Sequence, residues 1–218
     1  MISAPAPFGA ITANAHRERA RTVIRPIRTY SNAYLERHRK THEKHPQFGT
    51  HRHPYLVNTM REIAQGCAQA LGRPPTLLDY GCGKGVFLEE LRRMNLFGEL
   101  VGHDPAILRF RERPSRQFDV VICLDVLDQL EDQFVRDAIE DVAQFSARTA
   151  VFDIITKQSP KFVHLRPRSA STWQQRVERS MHVASVWTRA ATPWEMAMEG
   201  ACPERVIIVA EPKVAPGA

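Results

Sequence analysis

Hydrophobic positions along this chain alternate between short continuous runs and stripes at helical spacing. "FDVVICL" at 118–124 and "TAVFDIIT" at 149–156 are apolar throughout, the pattern of strands buried on both faces. Thr76–Tyr80 and Glu99–His103 are shorter strand candidates, and "HVASVWTR" and "ERVIIVAEP" near the C-terminus form a last pair. Between them lie helices. Leu56, Met60, Ile63, Cys67 and Leu71 make one apolar stripe, with Pro54 in its first turn and Gly72 and Pro74 closing it. Val86–Met94, the amphipathic Asp132–Phe145 and "STWQQRVERSM", with Ser171 as its cap, are the others. Strand and helix alternate, so the expected fold is α/β, a doubly wound and mostly parallel sheet. Residues 1–28 lack periodicity and read as a mobile leader. Residues 29–53 are polar, helical in the first half and broken at Pro46 and Gly49; they read as an N-terminal lid or cap, or as a helix docked on the sheet edge. Residues 54–213 form the main domain and 214–218 a tail.

The loop after the first strand carries the chemistry. It reads D-Y-G-C-G-K-G from Asp79 to Gly85. In an open α/β sheet, ligands bind beyond the carboxyl ends of the strands where the winding reverses, and this loop lies there. Three glycines allow a sharp turn and close approach to a ligand. The spacing is not the G-x-G-x-x-G of a dinucleotide site. It resembles motif I of the class I S-adenosylmethionine (SAM)-dependent methyltransferases. The resemblance extends to Asp104, which closes the second strand where that family places an acid on the ribose hydroxyls, and to "FDVVICLDVLDQLED", similar to its fourth strand and following loop.

That resemblance implies a SAM site made of Asp79, Tyr80, Gly81, Cys82, Gly83, Gly85, Asp104, Pro105, Cys123, Leu124 and Asp125. Asp104 accepts both ribose hydroxyl protons, Asp79 lies on the ammonium side, and Ile107, Cys123 and Leu124 wall the adenine. Asp125 is either a cofactor contact or a turn aspartate. Two departures stand out. Only thirteen residues separate Asp104 from Phe118, too few for a helix and a strand, because a parallel crossover alone needs about a dozen. The family's third strand and the helix before it are therefore expected to be reduced or missing, which leaves six strands in the family order 2-1-4-5-7-6. Asp128 and Gln129 also stand where the family often has Glu-His.

Charge narrows the partner class. The chain carries +6 overall, but residues 1–75, 76–155 and 156–218 carry +8, −6 and +4, so no continuous basic face is expected and nucleic acid is disfavoured. No run approaches the ~20 apolar residues of a membrane span, no secretory signal is visible, and the four cysteines form no CxxC pair; a reduced, cytoplasmic protein is expected. The loop after the fourth strand lacks the Asn/Asp-Pro-Pro-aromatic clamp of amino-methylating DNA enzymes. Small-molecule, saccharide or lipid-linked acceptors remain; a small-molecule or saccharide-like acceptor, methylated at oxygen, is expected, with an RNA methyltransferase or a degenerate SAM-binding scaffold as alternatives.

An oxygen acceptor profits from a base. His164, in "KQSPKFVHLRPRSASTW", is expected as that base or as a substrate ligand, with Arg166 and Arg168 as anion clamps; the other reading is a solvated basic loop. Tyr34 and Tyr55 are expected to shape the acceptor pocket. His38, His42, His45, His51 and His53 fall within sixteen residues, but no carboxylate or cysteine pattern completes a metal site, and they read as polar lid residues.

Overall fold

The computed structural model describes residues 24–50, 52–156, 168–190 and 204–213. His51, His164, Arg166, the tail and the leader up to residue 23 lie outside these residues. A six-stranded sheet forms the centre, in the order β2-β1-β3-β4-β6-β5. Its strands are β1 (Thr76–Tyr80), β2 (Glu99–His103), β3 (Phe118–Leu124), β4 (Ser146–Ile155), β5 (Met181–Ala190) and β6 (Glu204–Pro212). β1 to β4 run parallel, and β6 inserts antiparallel between β4 and β5. This is the expected order with the third family strand absent: β2 and β3 are joined by a short connection with one 3-10 turn at Leu108–Phe110.

The strand parity sorts the core into two layers. α2 (Val57–Leu71) and α3 (Val86–Met94) set Met60, Ile63, Leu88 and Leu91 against Leu77, Val120 and Ile122. α4 (Asp132–Phe145) and α5 (Ala170–Glu178) set Val135, Ile139, Trp173 and Val177 against Val121, Cys123 and Phe152. Every residue of β3 is buried, as its unbroken apolar run requires.

Local departures from the sequence reading have simple causes. Ser169 caps α5, its hydroxyl accepting from Thr172 N at 3.2 Å, so Ser171 already lies inside the helix. β4 starts directly after α4, at Ser146 instead of 149. Pro54 opens a 3-10 turn that leads into α2.

Ahead of the sheet, α1 (Asn32–Lys44) is capped by Ser31, which accepts from Tyr34 N at 3.0 Å. The same serine donates from N and Oγ to Glu131 at the start of α4, at 3.0 and 2.8 Å. These bonds fix α1 beside the carboxyl ends of the strands. Among the described residues no helix is long and apolar enough to cross a membrane.

Candidate active site

β1 delivers its chain into the glycine loop. Gly81 and Gly83 have φ of 81° and 51°, a backbone that side chains disfavour. A Cβ on Gly83 would lie 2.7 Å from Gly49 O, and one on Gly81 would strike Val126. The crowding that excludes side chains here therefore comes first from the protein itself. Lys84 completes the seam: its N donates to Gly49 O at 2.8 Å and its Nζ to the carbonyls of Pro46 and His45 at 2.7 and 3.2 Å.

Beneath this loop the end of β2 supplies Asp104. Its Oδ2 accepts from Gly83 N and its Oδ1 from Ala106 N, both at 2.9 Å. A carboxylate has about four acceptor positions, so two are left for a ligand's hydroxyls. Asp79, at the end of β1, is buried against the same cavity. Burial, and then the charge of Asp104, push its carboxyl up to about 7. Two carboxylates face one cavity, and that of Asp79 has no hydrogen bond or ion pair among the described residues. Such a floor fits a ligand carrying positive charge and a diol, the groups SAM has.

The roof comes from the N-terminal segment. α1 turns Tyr34, His38 and His42 inward, where Tyr34 stacks on His38 at 4.0 Å and Phe48 packs edge-on to His42 at 4.7 Å. Burial pulls the His42 imidazole down, against the charge of Asp104, which raises it. Roof and floor enclose about 640 Å³.

At the other end of the cavity lies a network that the sequence did not reveal as a site. His53 Nδ1 is 2.8 Å from Tyr55 Oη, and Tyr55 donates its hydroxyl to Asp153 Oδ2. Arg205, fully buried, donates from Nε to Asp153 Oδ1 at 2.8 Å and from Nη2 to Asp125 Oδ1. His53 Nε2 is 3.9 Å from Asp125 Oδ2. The topology makes this possible: antiparallel β6 begins where parallel β4 ends, pairing Arg205 with Ile155.

The structure brings most of the expected residues together. Asp79, Tyr80, Gly81, Cys82, Gly83, Asp104, Pro105, Leu124 and Asp125 line the cavity, as does Tyr34 on the roof. The Tyr80 hydroxyl is engaged by Asp141 at 3.0 Å, beneath the cavity. Cys82 keeps a thiol that burial pushes up. Four of the expected residues do not line the cavity. Cys123 is fully buried among α4 and α5 residues, because the adjacent Leu124 has the parity that faces the cavity. Gly85 caps α3 and packs on Phe110. Tyr55 stands behind His53, outside the cavity lining. Arg168 is drawn to Asp132 at the start of α4, the acid nearest to it, away from the cavity. Among the described residues no group of three or more His, Cys, Asp or Glu is arranged to hold a metal ion.

Comparison with known proteins agrees with this geometry. A family described as a methyltransferase domain matches residues 49–200, and the chain belongs to it. It is a class I SAM-dependent methyltransferase, with SAM as its cofactor. The fold resembles the N-methyltransferase NodS from Bradyrhizobium japonicum WM9, solved with S-adenosyl-L-homocysteine, at 14% identity and a TM-score of 0.52, covering 84% of this chain and 100% of that one. It resembles the SAM-bound magnesium protoporphyrin IX methyltransferase from Synechocystis PCC 6803 at 14% and 0.56, covering 84% and 100%. A third likeness is to the 1,6-didemethyltoxoflavin-N1-methyltransferase from Burkholderia thailandensis, at 10% and 0.54, covering 92% and 99%. No curated protein matches the chain.

Proposed function

We propose that the protein methylates a small-molecule or saccharide-like acceptor, at an oxygen, in the cytoplasm. The observation that carries this reading is the roofed cavity of about 640 Å³. It lies within the ~300–1,000 Å³ usual for small-molecule sites. A roof of α1, residues 45–50 and His53 over the glycine loop favours an enclosed ligand over a long polymer. Free thiols at Cys67, Cys82 and Cys123 accord with a reducing compartment.

SAM supplies an electrophilic methyl group on a cationic sulfonium. Asp104, braced by two backbone N–H groups, would take the ribose hydroxyls, and Asp79 the positive charge of the cofactor. Leu124 and Pro105 give the apolar wall for its base. Residues 29–53 act as the lid: they exclude water and hold the acceptor close, which can itself supply much of the acceleration.

The test is a mass-shift screen with SAM, the full chain and separate panels of hydroxylated small molecules, sugars and bulk RNA. Methylation within the small-molecule or sugar panels is expected. Methylation of RNA alone, or saturable SAM binding with no product in any panel, overturns the reading.

A further inference from the structure

The geometry points to His53 as the catalytic base of this enzyme, the group that takes the proton the acceptor hydroxyl loses. The inference rests on the function proposed above and adds a residue to it. Methyl transfer to a hydroxyl forms an O–C bond as the C–S bond breaks. The bonding pair stays on sulfur, which ends neutral, and the hydroxyl proton must go to a base.

Proton accounting assigns that task to one nitrogen. Tyr55 has a single hydroxyl proton, and it is donated to Asp153 Oδ2. Burial, and then the charge of Asp153, raise the Tyr55 phenol far above its usual range, so it keeps that proton. The Tyr55 oxygen can then only accept from His53 Nδ1, 2.8 Å away. Nδ1, which also lies 3.4 Å from Asp153 Oδ2, therefore carries a proton, and in the neutral imidazole Nε2 is the nitrogen without one. His53 lines the cavity. Its Nε2 lies 3.9 Å from Asp125 Oδ2, a carboxylate placed to stabilise the imidazolium once it forms. Arg205 holds both carboxylates, the Arg189 guanidinium lies 3.2 Å above the Tyr55 ring, and Phe87 packs against the imidazole.

Backbone strain marks the same place. Three described non-glycine residues have positive φ. Asn95 ends α3; the other two are His53, at 46°, and Asp125, at 57°, the pair that face each other here. Residues held in sparsely populated backbone regions cluster at functional sites.

The test uses the full chain with His53→Asn and His53→Gly, both tolerant of left-handed backbone. S-adenosyl-L-homocysteine affinity, measured by calorimetry, should be unchanged. Turnover of an acceptor found in the hydroxylated panel should fall by ~100-fold or more, the usual worth of a general base. The acid limb of kcat/KM for the acceptor, read at SAM concentrations that stay saturating across the pH range so that Asp79 does not contribute, should vanish, and added imidazole should partly restore His53→Gly. Separately, nuclear magnetic resonance of isotope-labelled histidine should show the Nδ1–H tautomer at His53 in wild type and its loss in Tyr55→Phe. Variants that keep turnover and the acid limb, or an Nε2–H tautomer in wild type, overturn the assignment while the methyltransferase reading stands. If wild type binds S-adenosyl-L-homocysteine but methylates no panel member, the proposed function fails first and this assignment falls with it.

Discussion

Gly49 and Gly83 meet backbone to backbone: a Cβ on Gly83 would lie 2.7 Å from Gly49 O, and one on Gly49 would lie 3.2 Å from Gly83 Cα and 2.5 Å from His42 Cε1. The contact joins the N-terminal segment to the glycine loop. Both residues also have positive φ. Gly83→Ala and Gly49→Ala should each cost about 1–3 kcal/mol in urea denaturation, from left-handed strain and overpacking together. Both should weaken SAM binding, because the Gly83 N–H that braces Asp104 is displaced.

Asp104→Ala removes the acceptor of two backbone N–H groups and, in the proposed cofactor site, of the ribose diol. SAM affinity should drop by about 1–3 kcal/mol, the cost of unpaired buried polar groups. Calorimetry on the variant checks this, and unchanged affinity would remove the residue from the site.

If Asp79 faces the cofactor's positive charge as proposed, cofactor binding should depend on pH. Burial and Asp104 raise its carboxyl to about 7 in the ligand-free protein. A cation favours the ionised form, so binding should release protons below about pH 7 and the affinity for SAM should fall as pH drops through that value. Asp79→Asn should flatten the dependence. The sign for stability is opposite to that of a paired carboxylate. The neutral carboxyl's contribution is full below the unfolded value of 3.8 and is lost as pH rises through about 7, so Asp79→Asn should stabilise the ligand-free protein above that pH. Calorimetry in buffers of differing ionisation enthalpy and thermal melts read the two effects.

Arg205 donates to both Asp125 and Asp153, and its guanidinium is fully buried between them. Arg205→Ala should cost about 3–5 kcal/mol in denaturation, because it leaves buried carboxylates without their guanidinium.

The parts of this protein that were legible in its sequence are those fixed by neighbours in the chain. The apolar run at 118–124 announces a strand buried on both faces, and the short span between Asp104 and Phe118 announces a missing strand. The loop D-Y-G-C-G-K-G signals its positive φ values through its glycines. Partners far apart in sequence were not legible. Arg205 looks like the polar flank of "ERVIIVAEP" until β6 is seen to enter antiparallel beside the end of β4. His53 looks like one lid histidine among five until Tyr55, Asp125 and Asp153 surround it. The resemblance implies Cys123 at the cavity, but one residue of parity turns it to the other face of the sheet.

The most direct measurement of the central claim, that the floor of Asp79 and Asp104 beneath the Gly49–Gly83 contact holds the cofactor, is titration of SAM into the full chain beside Asp104→Ala. The account expects saturable heat with one cofactor per chain in wild type and a marked loss of affinity in the variant. Absence of heat in wild type, or equal affinity in both, would contradict it.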